Sequence, residues 1–505
     1  MTELTVISSR DYPLPEAPFQ ARHLIGGLWQ DSQEGAVFER ASPAHGVTVT
    51  VASLGGKAET EAAIAAARAI FDAGDWSRAS GKDRASVLLK VADLIDRDRE
   101  RIALIETLES GKPISQAKAE IEIAADLWRY AASLARTLHG ESHNTLGQDM
   151  LGLVLREPVG VVSVITPWNF PFLILSQKLP FALAAGCTAV VKPSEMTPAS
   201  AVILGELLIE AGLPSGVANI VLGYGDPVGA TMTSDPRVDM ITFTGSTGVG
   251  KRIATQAGSA LKKVSLELGG KNPQVIFPDA NLDAAIDAIV FGVYFNAGEC
   301  CNSGSRILVH EDVAQEVTER VVALSRAVSF GDPLHEGTKV GAIISPEHQA
   351  KIDGYVRAAA AQGASIRLGG ADLPVPGLAG QFYQPTVVAD VTPQMPIAHE
   401  EVFGPVLSVL TFKTMDEAIG LVNQASYGLS AGVWSENVHT CLDFARRADA
   451  GTVWTNTWMD GFAELPFGGV KESGLGRELG RYGIEEFLET KTVTMRIGNS
   501  RAPWV

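Results

Sequence analysis

The chain has 505 residues, 46% hydrophobic and 20% charged, with a net charge of −17 at neutral pH. That length exceeds one small core and predicts roughly three domains. The acidic balance argues against nucleic-acid binding as the main activity, yet it leaves room for a small anionic ligand held by backbone N–H groups.

The opening stretch, MTELTVISSRDYPLPEAP, carries acids and prolines where a secretory signal needs an apolar core. No segment approaches about 18 uninterrupted apolar residues, so no membrane span is expected. The cysteines are Cys187, Cys300, Cys301 and Cys441, too sparse for a disulfide framework; a reducing cytoplasm is expected. Cys300 and Cys301 are neighbours, and a bond between them would close a strained ring.

Residues 57–137 read as helical. In 84–96, for example, Val87, Leu88, Val91, Leu94 and Ile95 form one apolar stripe. The texture changes over 138–158, where Gly and Asn punctuate short apolar runs, the pattern of a β-hairpin or extended arm. Four short apolar runs follow, at 161–165, 188–191, 217–222 and 238–243, separated by helical patterns at 173–185, 198–211, 225–233 and 247–258. Strand–helix alternation with fully apolar strands predicts βαβ units and a parallel sheet covered on both faces. Ligands bind such sheets beyond the carboxyl ends of the strands, where this chain has Trp168 and Asn169, Lys192 to Glu195, and Thr244 to Gly250. A second α/β block begins near 273, with strands at 274–277, 306–310, 384–389, 405–412 and 431–434 and helices such as 281–295 and 312–328. The tail 490–498 is a strand pattern with no evident partner nearby, which suggests pairing with an edge on another subunit.

Three residues suggest chemistry. Cys301 sits in FNAGECCNSGSR between Gly298 and Gly304, which let the backbone approach a substrate, and a loop position can lower a thiol pKa. The alternative is a small buried hydrophobe. Glu267, in VSLELGGKNP, is either desolvated or facing a cleft, where a raised pKa suits a general base; otherwise it is the polar side of an alternating strand. Asn169 offers a carboxamide to an oxyanion, or else caps the next helix. GSTGVG (245–250) after a strand and before a helix is a phosphate-site context, although it lacks the middle glycine of the dinucleotide fingerprint. In KPSE (192–195), a lysine and a carboxylate suit ribose hydroxyls, and Glu195 would repel a 2′-phosphate.

Seven segments in order, PWNFP (167–171), KPSE (192–195), FTGSTGVG (243–250), LELGGKNP (266–273), FNAGECC (295–301), EEVFGPV (400–406) and PFGGVKESGLGRELG (466–480), resemble the aldehyde dehydrogenase superfamily over essentially the whole chain. Within it the chain is similar to the hydrolytic NAD(P) branch, nearest to betaine-aldehyde and sorbosone-type enzymes. The resemblance implies an α/β fold with a Rossmann-type cofactor domain (1–137 and 159–271), an α/β catalytic domain (272–470) and a β-arm oligomerisation element (138–158 and 486–505). It implies Cys301 as nucleophile, Glu267 as the base for the deacylating water and Asn169 as oxyanion donor. It places Trp168, Lys192, Glu195, Gly245, Ser246, Gln349, Glu401 and Phe403 at NAD, and Phe170, Gln177, Trp458 and Phe462 along the substrate tunnel. The partners it implies are a small aldehyde and further copies of the chain, as a dimer or tetramer; no nucleic acid, membrane or metal is expected.

Two positions depart from the family pattern: Glu299 stands where many relatives carry Gln, and Gln177 where many place an aromatic residue. The second favours a small hydroxylated or sugar-derived aldehyde; the alternatives are betaine aldehyde, because Trp458 offers an aromatic face to a cation, or a broad range of aldehydes. Glu267 counts against a CoA-acylating relative, which lacks the glutamate base. Glu267 and Cys301 together count against a non-enzymatic one.

Overall fold

A computed structural model describes residues 4–498 and 505. Its first large sheet has eight strands, in the order Gly474–Leu475, Lys263–Glu267, Met240–Thr244, Val161–Ile165, Thr188–Lys192, Ala218–Ile220, His23–Ile25 and Leu28–Gln30. The five strands from Lys263–Glu267 to Ala218–Ile220 are parallel, and antiparallel strands close both edges. Val161–Ile165 and Thr188–Lys192 are buried along their whole length, as helices on both faces require. From Val161–Ile165 the chain winds outward through Thr188–Lys192 to Ala218–Ile220. It then crosses to the other side of Val161–Ile165 with Met240–Thr244. This reversal opens a crevice at the carboxyl ends of Val161–Ile165 and Met240–Thr244, a general property of doubly wound sheets.

The second sheet has seven strands, Ser365–Leu368, Thr386–Ala389, Val406–Phe412, Arg306–His310, Pro273–Ile276, Ser430–Trp434 and Thr452–Thr455, all parallel except the first. Each sheet carries its own apolar core. Leu88, Trp128, Phe172 and Phe181 cover the first, and Val275, Leu308, Val387 and Phe412 fill the second.

Local chemistry sets the helix ends. Gly81–Arg97 starts at Ser80, whose hydroxyl accepts from the Asp83 N–H at 3.2 Å. Pro171–Ala185 opens on a proline and stops at Gly186, whose left-handed φ of 100° admits few other residues. The helix that precedes the Cys301 loop, Leu282–Tyr294, is capped by Asn281.

Two features go beyond what the residue pattern alone shows. The tail strand Leu488–Arg496 pairs antiparallel with the chain's own arm, Met150–Pro158, in continuous register from Leu488↔Pro158 to Arg496↔Met150. The resemblance joins these two segments in one element, whereas the residue pattern alone, with more than 300 residues between them, shows no pairing. The first 55 residues also contain six short strands, Thr5–Ile7, Phe19–Ala21, His23–Ile25, Leu28–Gln30, Val37–Ala41 and Thr48–Ser53. These are mostly three-residue pieces, too short to show a period of two.

Candidate active site

The cleft lies between the carboxyl edge of the first sheet and the amino edge of the second. Glu267 ends the strand Lys263–Glu267, while Cys301 precedes Arg306–His310 and Glu401 precedes Val406–Phe412. Two cavities meet there. One, of about 710 Å³, is lined by Phe170, Gln177, Trp454, Met459 and Phe462, among others. The other, of about 200 Å³, is lined by Trp168, Asn169, Gly245, Ser246, Glu401 and Phe403. Cys301, Glu267 and Thr244 belong to both walls.

Cys301 leaves its helix through an unusual turn. Asn296, Ala297 and Gly298 are consecutive left-handed residues, with φ of 50°, 55° and 73°. Two of them are not glycine, a conformation that persists only when the surroundings impose it. The Asn296 carboxamide does so by donating to the carbonyls of Asn169, at 3.0 Å, and Glu299, at 3.2 Å. The glycines bracketing Cys301 make room for protein rather than for substrate. A Cβ at 298 would stand 2.1 Å from the Gly404 carbonyl oxygen, and one at 304 would meet the Gln274 amide and the Trp458 ring. Asn169 does not cap a helix; its carboxamide donates to the Glu299 carbonyl at 3.0 Å. One amide hydrogen remains for the cleft that both Asn169 and Cys301 line.

The electrostatics follow from burial. Glu267 is 5% exposed, and neither carboxyl oxygen has a hydrogen-bond partner. Desolvation pushes its pKa well above the carboxylate range; Glu478 adds to this and Lys178 opposes it. Lys178 and Glu478 form a buried ion pair beside it, and Lys178 also donates to Thr242 at 3.0 Å. The thiol of Cys301 is likewise raised, first by its hydrogen bond with Cys300, then by burial. This corrects the expectation of a loop-activated thiolate: at rest Cys301 is a thiol and needs a base.

The smaller cleft and the strand ends beside it offer groups that suit a dinucleotide. Ser246 is the N-cap of the helix Thr247–Ser259, and its side chain makes no capping bond. This leaves backbone donors and a hydroxyl at the positive end of the helix dipole. Thr244 Oγ1 is buried without a partner beside it. At the neighbouring strand end, Lys192 Nζ lies 3.5 Å from Glu195 Oε2. Glu401 accepts from the Gly270 N–H at 2.9 Å. The Trp168 and Phe403 rings meet edge-on at 5.5 Å.

Two expected site residues lie elsewhere. Gln349 points out of the cleft, donating to Asp372 at 2.8 Å and to the Phe382 carbonyl at 3.1 Å. Its neighbour His348 lines the cleft with Lys351, because adjacent helical residues point about 100° apart. Trp458 is not a tunnel residue. It is 4% exposed and packed where Gly292, Gly304 and Gly432 leave room for an indole. Trp454 and Met459 occupy the tunnel wall, with Trp454 edge-on against Trp458 at 4.9 Å.

Among the described residues no helix is long and apolar enough to cross a membrane. Residues 29–493 match the Aldehyde dehydrogenase family. A betaine aldehyde dehydrogenase of Bacillus subtilis (strain 168) is 41% identical over 481 residues, 95% of this chain and 98% of that protein. Retinal dehydrogenase 2 of Homo sapiens is 43% identical over 476 residues, 94% and 91% respectively. The crystal structure of an NAD-dependent aldehyde dehydrogenase from Sinorhizobium meliloti superposes with a TM-score of 0.97 at 51% identity, covering 99% of both chains. A betaine aldehyde dehydrogenase from Staphylococcus aureus, solved with NAD+, has a TM-score of 0.94 at 38% identity over 96% of each chain. The chain therefore belongs to the aldehyde dehydrogenase family and is an NAD-dependent enzyme.

Proposed function

We propose that the protein oxidises a small polar aldehyde, hydroxylated or sugar-derived, to its carboxylate through a thioester on Cys301. The observation that carries this is the junction of the two cavities at Cys301 and Glu267, which puts one sulfur and one unpartnered carboxyl within reach of both. The Cys301 thiol passes its proton to water in the cleft and on to solvent, and the thiolate attacks the carbonyl carbon entering from the larger cavity, the C=O π pair moving to the oxygen. The carboxamide of Asn169 and the Cys301 N–H stabilise the oxyanion. Bound NAD supplies the hydride acceptor. Glu267 then takes a proton from the water that hydrolyses the thioester, a role suited to a carboxyl whose pKa is raised by burial.

Gln177, half-buried on the tunnel wall, supports the polar substrate. A long alkyl chain that covered its amide without a partner would cost about 1–3 kcal/mol, roughly 5- to 150-fold. A second reading is an aldehyde bearing a cationic group. Glu122, Asp126 and Glu464 line the same cavity with the rings of Trp454 and Phe467, and neither Lys nor Arg is among its lining residues. Relatives named betaine aldehyde dehydrogenase and aminoaldehyde dehydrogenase 2 (Zea mays), 41% and 40% identical, favour it too. The test is kcat/KM for glycolaldehyde, glyceraldehyde, betaine aldehyde and hexanal, in the wild type and in Gln177→Trp. Hexanal as the best wild-type substrate would rule out both readings, and betaine aldehyde as the best would select the second.

A further inference from the structure

The loop that carries Cys301 also carries a buried acid that the chemistry above does not use. Glu299 is 2% exposed. Burial pushes its carboxyl well above the usual range, against the Ile344 N–H and the pull of Arg40 and Lys112. Its Oε1 accepts the Ile344 N–H at 3.0 Å and stands 3.8 Å from His348 Nε2. Ile344 directly precedes Ser345, the N-cap of the helix Pro346–Ala361, whose hydroxyl accepts from the His348 N–H at 3.2 Å. One turn in, His348 Nε2 lies 2.7 Å from the Phe403 carbonyl, and facing a carbonyl it must carry the proton and donate. Phe403 has a φ of 60°, a left-handed conformation that is costly for an aromatic residue and is imposed here by its surroundings. The rings of Trp168, His348 and Phe403 pack edge-on at 5.5–5.8 Å and form one wall of the smaller cleft.

We propose that Glu299 is a positioning residue for the cofactor cleft: its carboxyl holds the first turn of the helix Pro346–Ala361, so that His348 clamps the Phe403 carbonyl and fixes the aromatic wall. The inference rests on reading this cleft as the NAD site. It links the nucleophile loop to cofactor binding through a side chain that touches neither substrate nor NAD.

The test is the Kd for NADH, read by its fluorescence, alongside the KM for NAD and the NADH burst at saturating NAD. Glu299→Leu removes the acceptor for Ile344 and should raise Kd and KM about tenfold, while the burst rate at saturation stays within about threefold. Glu299→Gln keeps an acceptor oxygen and should stay within about twofold of wild type in both. Ser345→Ala loosens the same turn from outside the nucleophile loop and should raise Kd by about two- to fivefold. Wild-type Kd in Glu299→Leu, or equal damage in Glu299→Gln, overturns the proposal. Should Glu299→Leu not accumulate as folded protein, Ser345→Ala decides: an unchanged Kd there refutes the linkage. A wild type that binds NADH but oxidises no aldehyde refutes the assignment of Cys301 and leaves the binding test intact.

Discussion

Replacing Glu267 by glutamine removes one acceptor for a proton and little else. The side chain is 5% exposed, both oxygens lack partners, and an amide occupies the same volume. A positioned general base contributes about 10²–10⁴-fold, or roughly 2.7–5.4 kcal/mol of barrier. Water does not shield this carboxyl, so the upper half of that range is expected. The loss should fall on deacylation, which leaves a burst of NADH of about one equivalent per active site followed by a steady state slower by about 10³-fold. The sign with pH follows from the raised pKa: only the ionised carboxylate is a base, so wild-type deacylation rises as pH climbs through that pKa, and the variant loses the rise. Stopped-flow absorbance of NADH at several pH values reads both effects. If the burst itself disappears, Glu267 acts before acylation, on the Cys301 thiol, and the division of labour proposed here is wrong. That outcome has a structural motive, because Cys301 rests protonated.

Four further outcomes are expected. Cys301→Ala should abolish NADH formation while Cys300→Ala keeps most of it; because the Cys300 thiol raises Cys301, Cys300→Ala should also move iodoacetamide alkylation of Cys301 to lower pH, and equal activity loss in both folded variants would refute the assignment. Glu195, whose side chain is 38% exposed at the strand end beside Lys192, should give NAD at least about a tenfold advantage over NADP in kcat/KM, and equal values would count against its placement at the adenine ribose. Glu109 is buried and raised from 4.5 to about 8 by desolvation, so the folded state keeps a proton that the unfolded state releases; its contribution to stability is full below the unfolded value and is lost as pH rises toward 8. Glu109→Gln should therefore gain about 2 °C or more in Tm over wild type between about pH 5 and about pH 9, and a pH-independent difference would refute it. Deleting 490–505 strips most of the strand Leu488–Arg496 from the arm and exposes a long ladder edge; light scattering should show aggregation or inactive dissociated subunits, and a fully active monomer would rule out an assembly role for the arm.

The sequence by itself determined whatever depends on neighbours along the chain. Strands 161–165 and 306–310 have their expected limits because apolar β-branched runs bounded by Gly, Pro or polar turns are local signals. The helices expected at 173–185 and 281–295 run 171–185 and 282–294, within two residues, because their caps are local, while the breaks inside the helical stretch 57–137 were not read. The strand ends at Glu267 and ahead of Asn169 were legible as carboxyl ends of a parallel sheet, whereas Cys301, at the amino end of Arg306–His310, was singled out by its motif. Tertiary structure alone decided what depends on orientation and surroundings. One residue along a helix separates Gln349, which faces Asp372, from His348, which faces the cleft. Trp458 is core and Trp454 tunnel because three distant glycines leave room for only one of them. The tail found its partner across more than 300 residues, and the Cys301 thiol rose rather than fell because protonation depends on what surrounds the sulfur, not on the loop that carries it.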